Sequence, residues 1–377
     1  MSDLKKVLLV TRPIAPPWDE ASKNFAYALA MDLQSTADLE LHLMTNGFVS
    51  QLPTEVIQEQ IYTNSQNDFN FSQKMRLFWF LLCNSHKFDI IHLLFTPTKL
   101  NTFFIKLVLS FSKAKTVQTV ATLREDIFSD AEIKKLMFAD VIVTYSDYAK
   151  NKLLTLGLEN SQRIYPGIDL EEYCKKEKKP ELLAQCNFTA ADFIINFSGE
   201  YTRLGAMDDV IDSFIETSAK IPSIKLSLAV RVKNERDAKR KEGVVEKLQK
   251  NNLLSKVAFH DDGKYDMTDI YNLADISIFP VQNMHGKFDV PLVVVEAMAC
   301  EKAVIVSDLP ILKEFTSEKN SITIAKGHVP KLTAAIVDLY ENQEKRDSIG
   351  KNGRIFCEEN FDIKKVSAAY EQLYKKL

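Results

Sequence analysis

EEYCKKEKKPELLAQ, residues 171–185, marks the point where a regular alternation of strand-like and helix-like segments pauses. Before it, short apolar runs recur at VLLV (7–10), LELHLM (39–44), DIIHLLF (89–95), KTVQTVA (115–121), DVIVTYS (140–146) and QRIYPGI (162–168), with helical periods between them, as at 21–33 and 73–83. After it the pattern restarts with FIINFSG (193–199), IKLSLAV (224–230), KVAFH (256–260), DISIFPV (275–281), AVIVSD (303–308) and SITIA (321–325), and closes with helical stretches at 331–342, 345–359 and 363–377. Strands alternating with helices give βαβ units and a parallel sheet. The sequence therefore predicts an α/β protein of two doubly wound, Rossmann-like domains, residues 1–170 and 191–358, with 171–190 a charged linker or exposed connecting helix and 359–377 a final helix. Open α/β sheets bind ligands at the carboxyl ends of their strands, so two such domains are expected to face a common interdomain cleft.

Composition agrees with this division and narrows the function. A chain of 377 residues with 46% apolar and 26% charged residues exceeds what one core usually serves. A net charge of −3, without zinc-finger spacing or an aromatic-and-basic RNA signature, excludes nucleic acid as the expected partner. The five cysteines show no CxxC spacing and read as reduced thiols. MSDLKKVLLVTRP lacks the form of a signal peptide, and the longest bulky apolar run, LFWFLLC (77–83), is far shorter than the roughly 20 residues that span a bilayer. A cytoplasmic protein is expected, with peripheral contact at the inner membrane face left open.

PLVVVEAMACEK (291–302) poses the chemical question, because Glu296 sits among valines, alanines and a methionine. Asp289, Val290 and Pro291 read as a helix start, with a carboxylate able to cap and a proline in the first turn, and the helix is expected to run to about Lys302. The N–H groups and positive dipole end of such a helix favour an anion. A buried carboxylate needs hydrogen-bond donors, and the two hydroxyls of a ribose would supply them; a backbone N–H or a core arginine is the plainer alternative.

ADISIFPVQNMHGKFDVPLVVVEAMACEKAVIVSDLPILKEF (274–315) resembles the donor-binding segment of family 4 glycosyltransferases, retaining enzymes of the GT-B fold. Segments 7–30, 138–173, 197–214 and 354–374 agree with that family in order and spacing, so the likeness covers nearly the whole chain. It implies a nucleotide-diphosphate sugar as donor, no metal or other cofactor, and a C-terminal helix crossing back to the first domain. It also implies that Glu296, the second acid of an E-x7-E motif, binds the nucleotide ribose. Arg203 resembles the basic residue on the diphosphate, the N–H groups of Leu292 and Val293 reach the same phosphates, and Lys287 adds charge nearby.

Departures from the family pattern fall at several of its site positions. The first acid of the motif falls on Phe288, leaving Asp289, one residue later, as either its replacement or a helix cap. The N-terminal glycine pair is replaced by Glu20-Ala21, where Asp19, Glu20 and Lys23 open a helix and acids also suit the dipole. The family's sugar-contacting His-Asp becomes Arg124-Glu125, making Arg124 a candidate contact to sugar, phosphate or an anionic acceptor, or else a loop ion pair with Glu125 or Asp126. His92 reads as a core histidine, and Asn283 and His285 as modest site candidates.

The expected activity is transfer of a sugar to a hydroxyl of a glycan, a lipid-linked molecule or a small acceptor, with retention of configuration. A catalytically degenerate binding protein or partner subunit is the alternative. A dinucleotide-dependent dehydrogenase ranks lower, since neither domain's first strand is followed by G-x-G-x-x-G. KMRLFWFLLCNSHK (74–87) and TFFIKLVLSFSKAK (102–115) carry aromatic and basic residues that suit either a membrane surface or an ordinary sheet-covering helix.

Overall fold

The computed structural model describes residues 4–16, 20–36, 39–63, 69–261 and 265–377. The chain divides into two compact units: Met1–Ile168 with Gly286–Val290 and Asn360–Leu377, and Asp169–His285 with Pro291–Glu359. Each is built on one parallel sheet.

The first sheet contains β1 (Lys5–Val10), β2 (Leu39–Asn46), β3 (Ile57–Tyr62), β4 (Ile90–Leu93), β5 (Lys115–Val120), β6 (Val141–Thr144) and β7 (Ser161–Arg163), in the order β3-β2-β1-β4-β5-β6-β7. Its helices are α1 (Ala21–Thr36), α2 (Phe71–Asn84), α3 (Lys99–Leu109), α4 (Asp130–Leu136) and α5 (Asp147–Thr155). Chain order reverses between β1 and β4, where Leu9 pairs with His92. β3 has no counterpart among the apolar runs of the sequence, because IQEQIY is an edge strand with Ile57 exposed and mostly half-covered polar side chains.

The second sheet repeats the wiring. It contains β8 (Phe193–Gly199), β9 (Ile224–Val230), β10 (Val257–Phe259), β11 (Ile276–Phe279), β12 (Ala303–Ser307) and β13 (Ile322–Ile324), in the order β10-β9-β8-β11-β12-β13. Its helices are α6 (Pro180–Gln185), α7 (Met207–Ser218), α8 (Glu235–Lys250), α9 (Met267–Leu273), α10 (Leu292–Ala299), α11 (Val329–Glu341) and α12 (Gln343–Asn360). The lysine-rich stretch at 171–185 belongs to this unit. Lys178 grips Asp275 at 2.9 Å, Lys179 meets Asp269 at 2.6 Å, and α6 packs its leucines into a cluster with Ile194 and Ile270.

α13 (Ile363–Lys376) returns to the first unit and packs on α1. The chain can come this close only at a glycine: a Cβ on Gly167 would lie 2.8 Å from the Ile363 Cα. The backbone bonds Ile168 N–H to Phe361 O (2.8 Å) and Ile363 N–H to Ile168 O (3.0 Å) seal the contact.

Candidate functional site

In a doubly wound sheet the ligand end lies beyond the carboxyl ends of the strands flanking the reversal of strand order. In the second unit those strands are β8 and β11. The loop after β8 carries Arg203, and the segment after β11 leads into α10.

α10 differs from its sequence-predicted form at both ends. Its N-cap position falls on Pro291, extended at φ −72° and ψ 105°, with no side chain capping it, so Asp289 lies outside the helix. The first bonds come from Val294 and Val295 to the Pro291 carbonyl (3.0 and 3.4 Å), which leaves the N–H groups of Leu292 and Val293 ahead of the intrahelical ladder. At the other end Glu301 adopts φ 56°, Glu301 N–H donates to Met298 O (2.9 Å) and Lys302 N–H to Ala297 O (3.0 Å). That paired closure stops the helix at Ala299, short of Lys302.

Glu296 and Val293, one turn apart, are the two partly open positions of an otherwise buried helix. Tyr271, from α9, donates its hydroxyl to Glu296 Oε2 at 2.7 Å. Part of the Glu296 residue reaches solvent, yet its carboxylate is enclosed enough that burial pushes its pKa up to about 7, against the lowering effect of the Tyr271 bond. Its charge in turn pushes the Tyr173 hydroxyl above its usual range, with burial adding to the effect. No core arginine meets Glu296 among the described residues. Tyr271 therefore takes the place of the arginine or backbone partner that the sequence left open.

α12 fixes the helix from behind. A Cβ on Gly350 would lie 2.9 Å from the Glu301 carbonyl carbon, and one on Gly353 3.2 Å from Met298 Cβ, so the two glycines let α12 press on the end of α10. Arg354 Nη1 donates to the carbonyls of Ala299 (3.0 Å), Tyr173 (2.8 Å) and Leu170 (3.3 Å), and Cys357 Sγ lies 3.4 Å from Val295 O. These contacts hold Glu296 in place through the backbone of its helix.

Arg203 is 52% exposed and pairs with Glu200 Oε2 at 3.3 Å, while Lys233, from the loop after β9, meets Glu200 Oε1 at 2.9 Å. Lys233 is a second cation that the sequence did not single out. It is assigned here only because β9 lies beside β8, a neighbourhood no linear spacing reveals.

Arg124, Lys287 and Asp289 belong to the first unit. Arg124 Nε and Nη2 grip both oxygens of Asp126 at 2.8 Å, which raises its already high pKa; this is the loop ion pair weighed above. Asp289 is buried and accepts from Ser146 Oγ at 2.6 Å, while its N–H donates to Ala121 O at 2.9 Å. Phe288 stacks against Tyr145, centroids 5.4 Å apart. Lys287 is half-buried, and the exposed His285 donates its N–H to Asn283 Oδ1 (3.1 Å).

His92 is fully buried between the Tyr374 hydroxyl and Thr119 Oγ1, both at 2.6 Å, and burial pushes its pKa down to about 3, the state of a neutral core histidine. Glu20 pairs with Arg12 at 2.9 Å and Lys23 is buried; Asp19 lies outside the described residues.

Comparison with known proteins addresses the second unit most directly. Residues 178–356 match the family described as glycosyl transferases group 1. That match spans just under half of the chain. An uncharacterized glycosyltransferase of Methanocaldococcus jannaschii is 24% identical over 328 residues, covering 80% of this chain and 79% of that one. A glycosyltransferase from Rickettsia africae superposes with a TM-score of 0.78 at 15% identity, over 99% of this chain and 98% of the other. HepE from Anabaena, solved in complex with UDP-glucose, gives 0.76 at 16% identity over 99% and 100% of the two chains. Likeness at this level establishes the fold, two Rossmann-like units of GT-B type, as the strand pattern predicts.

Proposed function

We propose that the protein moves a sugar from a nucleoside diphosphate sugar to an acceptor hydroxyl with retention of anomeric configuration, in building a glycan or glycoconjugate. One observation supports the reading: among the described residues Glu296 has a single side-chain donor, Tyr271 on Oε2, in surroundings that penalise its charge. A carboxylate so placed gains most from a ligand that brings hydroxyls to Oε1, as a ribose does. Diphosphate oxygens then accept from the N–H groups of Leu292 and Val293, with Arg203 and Lys233 supplying charge. As the bond from the anomeric carbon to the diphosphate breaks, negative charge grows on the departing oxygens, and a fixed cation and helix end favour that state over the ground state. Retention follows from the family resemblance: the acceptor oxygen attacks from the face the diphosphate leaves, and its proton passes to the leaving phosphate.

The test is sugar release or transfer by the purified chain, with Glu296→Ala and Arg203→Ala expected to abolish it while the fold persists; undiminished turnover in both would remove the assignment. A second reading draws on the first unit. Phe288, at the position of the family's first acid, carries no carboxylate and packs on Tyr145, and Asp289 is buried with Oδ2 on Ser146. These contacts favour a donor-binding protein or partner subunit, distinguished by tight nucleotide-sugar binding with no nucleotide release under any acceptor.

A further inference from the structure

We propose that the outward face of α2 and α3 docks the protein on an anionic lipid bilayer. Both helices bury one apolar stripe and expose a second. α2 buries Leu77 and Leu81 and turns Phe71, Trp79 and Leu82 to solvent; α3 buries Ile105, Val108 and Leu109 and exposes Leu100, Phe103, Phe104 and Leu107. Phe111, just past α3, is 77% exposed, against 72% for Phe71, 63% for Phe103 and 57% for Trp79. Edge-to-face contacts of Phe78 with Trp79 (5.9 Å) and with Phe104 (5.7 Å), and of Phe103 with Phe104 (5.5 Å), join the two helices into one aromatic surface. A solvated helix places charge opposite its core, as ERDAKRKEGVVEKLQK of α8 does. Contiguous exposed apolar surface marks an interaction site instead.

Charge selects the partner. Residues 71–88 carry Lys74, Arg76 and Lys87, and residues 98–115 carry Lys99, Lys106, Lys113 and Lys115, with no Asp or Glu in either stretch of a chain whose net charge is −3. Lys99 and Lys115 pair with Glu132 and Asp140, and of the other five cations Lys74 lies over the Phe69 ring at 5.6 Å while Arg76, Lys87, Lys106 and Lys113 are exposed. A second copy meeting this face would set cation against cation, whereas anionic headgroups supply the missing charge at about 1 kcal/mol per Lys or Arg near the surface. Aromatic rings sit at the headgroup boundary while long basic stems reach phosphate. At 14 and 11 residues the helices fit the interface plane, and no helix among the described residues is long and apolar enough to cross a membrane.

The test floats the full chain with vesicles of phosphatidylcholine alone or mixed with phosphatidylglycerol. Trp18→Phe leaves Trp79 as the sole tryptophan, a probe that needs no change to the surface. Anionic vesicles are expected to shift its emission to the blue and to float the protein, in a salt-sensitive manner. Phe103→Glu with Phe111→Glu should weaken flotation more than tenfold, and Lys74→Glu with Lys106→Glu about tenfold, while UDP-glucose titration of the same variants reports donor binding separately. Absence of flotation and of the Trp79 shift with anionic vesicles overturns the proposal. So does concentration-dependent dimerisation, abolished by Phe103→Glu, in a protein that ignores vesicles.

Discussion

The two units share one wiring and differ in how fully particular polar side chains are engaged. In the first unit His92 is bonded through both ring nitrogens, to Tyr374 and Thr119, and the Arg124 fork is filled by Asp126. In the second, Glu296 has one hydrogen-bond donor among the described residues, Tyr271, and Arg203, paired with Glu200, stands half in solvent. A satisfied network stabilises, whereas an under-satisfied buried carboxylate gains from any further donor brought to it. Strand order gives both units the same geometry at the carboxyl ends of their strands, and the loops set the side chains found there.

The largest expected effect breaks the support behind α10. Gly350→Val drives a side chain into the Glu301 carbonyl and should cost the second unit about 3 kcal/mol, seen as a lowered melting transition. An unchanged transition would mean that α12 does not fix that helix.

Acid titration should give the units opposite slopes. His92 has its pKa lowered to about 3, so its contribution is full above the ordinary value of 6.5 and is lost as pH falls toward 3. Glu296 has its pKa raised to about 7, so its contribution is full below 4.5 and is lost as pH rises through 7. Glu296→Gln should therefore stabilise the ligand-free protein at pH 8 by about 2 kcal/mol, less than the whole shift because the side chain is partly open, with little change at pH 4. Denaturant unfolding at the two pH values checks the sign, and equal effects at both would contradict it.

Smaller still is the contrast between the arginines. Arg203→Ala should weaken nucleotide-sugar binding about tenfold, one charge-assisted contact, while Arg124→Ala, whose fork is already filled by Asp126, should leave it within twofold. The reverse result would move the phosphate site to the first unit.

Much of this was legible in the sequence, and the gaps have physical causes. FIINFSG and IKLSLAV coincide with β8 and β9 because buried parallel strands are unbroken apolar runs. β3 escaped because an edge strand needs no such run. Glu296 stood out as an acid among valines, but its partner Tyr271 lies 25 residues away on another helix, beyond any helical spacing. Lys233 and the Arg354 clamp were missed for the same reason, although two glycines inside IGKNGR were a readable sign of close backbone approach. Asp289 reads in the sequence as either the replacement acid or a helix cap; it does not cap α10, whose N-cap position is Pro291, and it falls with Gly286–Val290 in the first unit.

Calorimetric titration with UDP-, GDP- and ADP-linked sugars, repeated on Glu296→Ala, probes the open carboxylate most directly. One nucleotide sugar should bind the native chain, with affinity rising as pH climbs toward 7, and should lose about 30- to 100-fold in the variant, the equivalent of about 2–3 kcal/mol of hydrogen bonding to a charged group. Equal affinity in both proteins, or no binding of any donor to the native chain, would contradict the account.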